Sequence, residues 1–293
     1  MKTSNNKKAH AFKGAAALIT AALPAVSLLA VSLLFTACPN NAGGSGGSGG
    51  GAGSGTQAPL VTGGASLILS PSKLDITVTA VTADGTAVTV EGCTETSLAS
   101  GTQTVLHAQG TTVILKGNIT ELTCDGLSSG STFTSNKLTA LNVQGLSALR
   151  WLNCTGNRLT ALNVQGLSAL QQLQCSGNQL TSLDVHGLTT LEKLYCTFNQ
   201  LTALNVQGLS ALQELNCYAN KLSAQALTQV LTDLPARLPS DNAECYLYIE
   251  RAEEGNHRNF SAPAALQTAF QQAKTVKHWK LYKFDSSFNY VEL

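Results

Sequence analysis

The chain has 293 residues, of which only 12% are charged and 5% aromatic, with a formal net charge of +1. That balance misleads, because Lys2, Lys7, Lys8 and Lys13 all precede an export-type processing point, and without them 14 basic residues face 17 acidic ones, near −3. No Lys/Arg run and no basic–aromatic weave survives in the remainder, which argues against nucleic acid as a partner.

The basic start runs into residues 15–37, AAALITAALPAVSLLAVSLLFTA, which carry no charge, and then into Cys38. A positive region, an apolar region and a small residue before a cut are the three parts of an export signal. The apolar run exceeds the usual ~7–15 residues and, at about 20, is long enough to span a bilayer. Two readings fit: a cleaved signal over residues 1–37 with Cys38 as the new first residue, or a retained membrane anchor. The segment Leu34-Phe35-Thr36-Ala37-Cys38 resembles a bacterial lipobox, with Phe35 where leucine is commonest. That resemblance implies a diacylglycerol on the Cys38 thiol and anchoring in a bacterial, in particular outer, membrane. Residues 38–56 comprise this Cys38 and the Gly/Ser tether PNNAGGSGGSGGGAGSGT over 39–56, a flexible coil with a typical reach of about 23 Å.

Residues 57–116 read as a small β region. Period-two alternation over 75–81, the turn signal Asp84-Gly85 and a return over 86–90 predict one hairpin. Residues 104–107 and 111–115 around Gln109-Gly110 predict another. Such a region suits the role of an N-terminal cap on the segment downstream of it.

Residues 117–222 repeat. Asn136, Asn157, Asn178, Asn199 and Asn220 recur every 21 residues, and L-x-x-L-x-C-x-x-N-x-L is matched four times, from Leu149 to Leu222. An earlier copy, Ile119/Leu122/Cys124, carries nine extra residues before Asn136. A fixed period of this size means a stacked array in which each copy buries its apolar side against its neighbours. The pattern resembles the leucine-rich repeat family, with Cys in the third apolar position. Each L-x-x-L-x-C predicts a short strand, and the five together a parallel sheet about 20 Å deep. The Asn amide is suited to satisfy backbone groups where the chain turns away. The second half of each copy, L-T-A-L-N-V in most, predicts a second extended face and not helices. Cys124, Cys154, Cys175, Cys196 and Cys217 share one position and are expected as small, unpaired core residues; Cys93 and Cys245 lie outside the pattern.

Residues 223–293 break the period. A Ser-capped helix over 223–234, a strand over 246–249, a helix from about Ala262 and a strand over 279–284 predict an α/β cap. The expected fold is therefore mainly β: a leucine-rich repeat solenoid with a small N-terminal β region and a C-terminal α/β cap.

Functional residues are sought on the face the leucines leave. Its columns read Trp151, Gln172, Lys193, Glu214; then Asn153, Gln174, Tyr195, Asn216; then Thr155, Ser176, Thr197, Tyr218; and Phe198 stands where other copies have Gly or Ala. The otherwise near-identical copies vary mainly here and gain aromatics, as a protein-binding hot spot does. Drift at unconstrained exposed sites is the competing explanation. Five strands give a face of about 400 Å², against roughly 800 Å² per partner for a stable interface, so binding is expected to be weak or multivalent.

Enzyme signals are poor. The G-x-S-x-G at residues 43–47 falls in the tether and not between a strand and a helix, and His107, His186, His257 and His278 join no base–nucleophile constellation. Without C-x-x-C or paired His, no metal or cofactor is expected. Resemblance to leucine-rich repeat surface lipoproteins implies protein–protein interaction or adhesion to host, matrix or bacterial surface proteins. A non-adhesive structural envelope lipoprotein is the alternative.

Overall fold

The computed structural model describes residues 57–129, 132–252 and 254–293; the expected signal, Cys38 and the tether lie outside the described residues. The chain is mainly β. Ten strands come first: β1 (Gly64–Leu69), β2 (Asp75–Thr82), β3 (Val88–Glu91), β4 (Ser97–Leu98), β5 (Thr104–His107), β6 (Thr112–Lys116), β7 (Ile119–Thr123), β8 (Gly126–Ser129), β9 (Thr132–Ser135) and β10 (Leu138–Asn142). Each regular repeat then adds one three-residue strand: β11 (Trp151–Asn153), β12 (Gln172–Gln174), β13 (Lys193–Tyr195) and β14 (Glu214–Asn216). After these come α1 (Ala224–Asp233), β15 (Glu244–Ile249), α2 (Ala264–Thr275), β16 (Lys280–Phe284) and β17 (Tyr290–Glu292).

The strands form a five-stranded sheet, β10-β1-β6-β3-β4, a ten-stranded sheet, β17-β16-β15-β14-β13-β12-β11-β7-β2-β5, and the β8–β9 hairpin, which absorbs the extra residues of the irregular copy. β7, β11, β12, β13, β14, β15 and β16 pair parallel in unbroken succession. Because the period returns the chain to the same point, Leu152, Leu173, Leu194 and Leu215 stand side by side, each at 0% exposure. The parallel run exceeds the five expected strands. β15 and β16 continue it, and β2 adds antiparallel to β7. One continuous core reaches from Ala65 through the repeats to Leu281.

The two N-terminal hairpins do not form. β2 pairs with β5 and β7, whereas β3 pairs with β4 and β6, and β5 and β6 fall in different sheets. Both turns instead carry the chain from one sheet to the other, so the alternating apolar residues of each strand meet across one shared core. The second half of each repeat is extended, as predicted. Beyond β10 it forms no continuous ladder and is tied across copies by single bridges such as Asn142↔Asn163 and Asp184↔Asn205 and by isolated backbone bonds such as Gln179 N–H to the Leu159 carbonyl.

The five asparagines are buried at 8% exposure or less. Asn178 shows the arrangement: its Oδ1 accepts from the Leu159 N–H at 3.0 Å, and its Nδ2 donates to the carbonyls of Cys154 (3.0 Å) and Cys175 (3.1 Å). Asn157 repeats this one copy back, and Asn199 and Asn220 one and two copies forward. Each amide thus ties its own turn to the preceding one. At the N-terminal end Asn136 reaches Thr77 of β2, accepting from its N–H and donating to its carbonyl.

All seven described cysteines are unpaired and buried. Burial raises the thiol of Cys154 to about 12 and that of Cys93 to about 11, and pushes Cys124, Cys175, Cys196 and Cys245 well above the ordinary value. Cys245, which the period does not reach, sits beside Leu215 as a core residue. Shut away in the core, all seven thiols are expected to react with a thiol reagent only after denaturant is added. Rapid native-state labelling of the repeat cysteines, followed by mass spectrometry, would contradict this packing.

Candidate functional site

Alternation along each short strand sends its leucine inward and the residues on either side outward. In-register pairing then makes two rows across the ladder. One runs Glu121, Trp151, Gln172, Lys193, Glu214, Glu244, Lys280; the other runs Thr123, Asn153, Gln174, Tyr195, Asn216, Tyr246, Tyr282. The first two predicted columns therefore share one face, extended at both ends by residues outside the regular repeats.

The rows are not uniformly open. Trp151, at 37%, is exposed, whereas Asn153, Gln172, Gln174, Lys193, Tyr195 and Glu214 are half-buried by neighbours one strand away. Toward the C-terminal end the groups engage each other. Lys193 Nζ lies 3.7 Å from Glu214 Oε2, and Tyr246 Oη donates to Glu244 Oε2 at 3.0 Å. The Tyr195 hydroxyl is raised by burial and by the Glu214 carboxylate it bonds, and that of Tyr246 by burial and Glu244.

Two predicted contact residues are corrected. Tyr218 is only 4% exposed: its ring meets Phe198 edge-on at 5.4 Å and Phe284 at 5.0 Å. With Ala219, Tyr246, Ile249, Tyr282 and Phe284 it forms a second, smaller core on the outer side of the sheet, against which Phe198 packs. Phe198 stands in the left-handed region at φ 53°, where two other repeats place Gly156 and Gly177. That conformation is unfavourable for a bulky residue, and the contact with Tyr218 offsets it. The cover comes from β16, which no argument internal to the repeats contains. Asn216 is likewise closed in, at 0% exposure between Tyr195 and Tyr246. Neither of its side-chain polar atoms has a hydrogen-bond partner among the described residues.

Sequence reasoning missed the residues that close the ladder. Asn256 is a further rung, accepting from the Leu222 N–H at 2.8 Å and donating to the carbonyls of Cys217 and Leu247, each at 2.9 Å. Glu254, 9% exposed, accepts from the backbone N–H of Ala219, Ile249 and Asn256. Gly255 between them lets the chain pass against the Asn220 carbonyl, where a Cβ would collide. Only the Gly-Asn pair signals this in the sequence, and it falls out of period.

The histidines are corrected in one respect. His107 does have a carboxylate partner: Nδ1 lies 2.6 Å from Glu95 Oε1, and this contact raises the imidazole and holds the Glu95 carboxyl at about 2. Nearby Cys93 is turned into the core at 8% exposure while His107 is exposed, so the trio makes no nucleophile–base pair. A shallow cavity of ≈ 250 Å³ near Gly63, Gly117, Ile119 and Gly145 has no titratable residue in its lining. Among the described residues no three His, Cys, Asp or Glu side chains converge as a metal site.

No protein-family model matches the chain, and no curated protein matches it. Among solved structures it is similar to one described as the functional domain of InlJ from Listeria monocytogenes, which includes a cysteine ladder. The identity is 28% and the TM-score 0.34, over 44% of this chain and 25% of that one. The chain thus spans a quarter of the length of that protein.

Proposed function

We propose that this chain is a non-enzymatic, lipid-anchored bacterial surface protein whose leucine-rich repeat solenoid binds a protein partner through the outer face of its parallel sheet. The observation that carries this is where the copies vary most. Repeats identical in their leucines, cysteines and asparagines differ chiefly around the short strands, in the outward rows centred on Trp151 and Tyr195 and at the positions beside them. The repeat assignment rests on the L-x-x-L-x-C-x-x-N-x-L motif together with its in-register stacking, and the anchor rests on the Cys38 motif and the tether. With the C-terminal end of the face closed by Tyr218, Tyr246 and Phe284, the open part stays below the roughly 800 Å² of a stable interface. Many copies displayed on one membrane supply avidity that a single face lacks.

Trp151→Ala combined with Tyr195→Ala is expected to abolish capture of surface-protein ligands by the displayed protein, with little change in melting temperature. Tyr218→Ala is expected to do the reverse, losing about 3 kcal/mol of stability while capture persists at temperatures where it stays folded. Capture that survives the double substitution would instead favour a structural envelope role, which the mutual engagement of Lys193, Glu214 and Tyr195 also suits.

A further inference from the structure

The outer face divides into two chemically different halves. From β13 toward β16 the polar groups are committed to one another, as the Lys193–Glu214 and Tyr246–Glu244 contacts show. From β7 to β12 they are not. The Glu121 carboxylate, the Trp151 indole N–H and the side-chain amides of Gln172 and Gln174 have no hydrogen-bond partner among the described residues. Asn153 is the exception, and it is held in place: Nδ2 donates to Asp125 Oδ2 at 3.1 Å, while Oδ1 accepts from the Thr155 N–H at 3.1 Å. One amide hydrogen of Asn153 remains to be used.

Trp151 is also alone. The other exposed large apolar residues, among them Leu60, Val105, Leu238, Val276 and Tyr290, lie on other elements. A polypeptide would meet one ring without the apolar surround that makes a protein hot spot. A sugar has the opposite requirement: one flat apolar ring beneath its C–H face, and planar amides or a carboxylate beside it to take adjacent hydroxyls as both donors and acceptors. Three strands by two outward rows measure about 10 Å by 7 Å, the footprint of one or two sugar rings. With Lys193 drawn to Glu214, the two rows of this half carry one charge, the Glu121 carboxylate, and exposed Arg150 next to Trp151 carries the opposite one, so a ligand of neither sign is favoured.

Resting on the reading of this face as a binding surface, we infer that its open half, around Trp151, Gln172 and Gln174, recognises a neutral saccharide carried by the partner. Fluorescence isolates the site, because the other tryptophan, Trp279, is 2% exposed and silent to a surface ligand. The full chain is titrated with neutral oligosaccharides of glucose, galactose, mannose and N-acetylglucosamine, free and immobilised. At least one is expected to shift the Trp151 emission saturably. Trp151→Ala, and separately Gln172→Ala with Gln174→Ala, should weaken its binding by at least about tenfold with unchanged circular dichroism. Failure of every oligosaccharide to bind overturns the inference, and so does binding indifferent to both variants. Protein capture that persists after enzymatic deglycosylation of the ligand also overturns it, yet leaves the protein-binding function standing. Loss of that function shows separately, as absence of any capture.

Discussion

Replacing Asn178 by leucine is expected to lower the free energy of unfolding by about 3 kcal/mol, read as a shift in the denaturation midpoint at unchanged slope. Leucine keeps the amide's branched four-atom skeleton without its polar atoms, so the loss is chiefly that of the amide's hydrogen bonds, with some crowding by the larger methyl groups. The Leu159 N–H, now paired with Asn178 Oδ1 at 3.0 Å, would be left buried without an acceptor. The two carbonyls fare better: Cys154 keeps the donation from Asn157, and Cys175 keeps that from Asn199. The cost therefore concentrates on one orphaned donor and two weakened acceptors. Since every rung joins one copy to the next, the transition should stay single while its midpoint falls. A midpoint shift worth less than about 1 kcal/mol would mean that the rungs are redundant.

Glu254→Ala is expected to have the second large effect, about 4 kcal/mol, through the three backbone donors it abandons. Ile249 donates to Glu254 Oε2 at 2.6 Å, Asn256 to Oε1 at 2.7 Å, and Ala219 to both oxygens at 3.1 Å. These bonds hold the last repeat to β15 and set Asn256 in position as the closing rung. Hydrogen exchange should accelerate first in β15, β16 and α2, with β11 to β13 still protected. Uniform acceleration along the ladder would refute the closing role. Glu254→Gln retains one acceptor oxygen but aims an NH₂ at backbone donors, and should fall between wild type and alanine. Burial raises the Glu254 carboxyl above its ordinary value even against those donors. Its titration therefore contributes stability that is present below the unfolded value and is lost as pH rises through the folded one. The stability gap between wild type and the glutamine variant should accordingly narrow as pH rises.

The inward-turned leucines and thiols, the extended second half of each copy and the Asn rungs were legible because each follows from a period acting on nearest neighbours. Trp151 and Gln172 were legible as outward residues for the same reason. Tyr218 and Phe198 were not. The period marks them as outward, and outward they are, but the covering ring of Phe284 arrives from a strand 66 positions further along the chain than Tyr218. Asn216 fails in the same way, closed in beside Tyr246 from β15.

By itself, then, the sequence determined which side chains turn in and which turn out along the repeats, since a constant 21-residue step permits one way of stacking identical apolar positions. Only the tertiary structure decided how far the ladder runs, which aperiodic residues finish it, and which part of its outer face stays open. Those outcomes depend on β2, β15 and β16, whose place beside the repeats is set by long-range pairing and shared burial, and neither leaves a mark in local spacing.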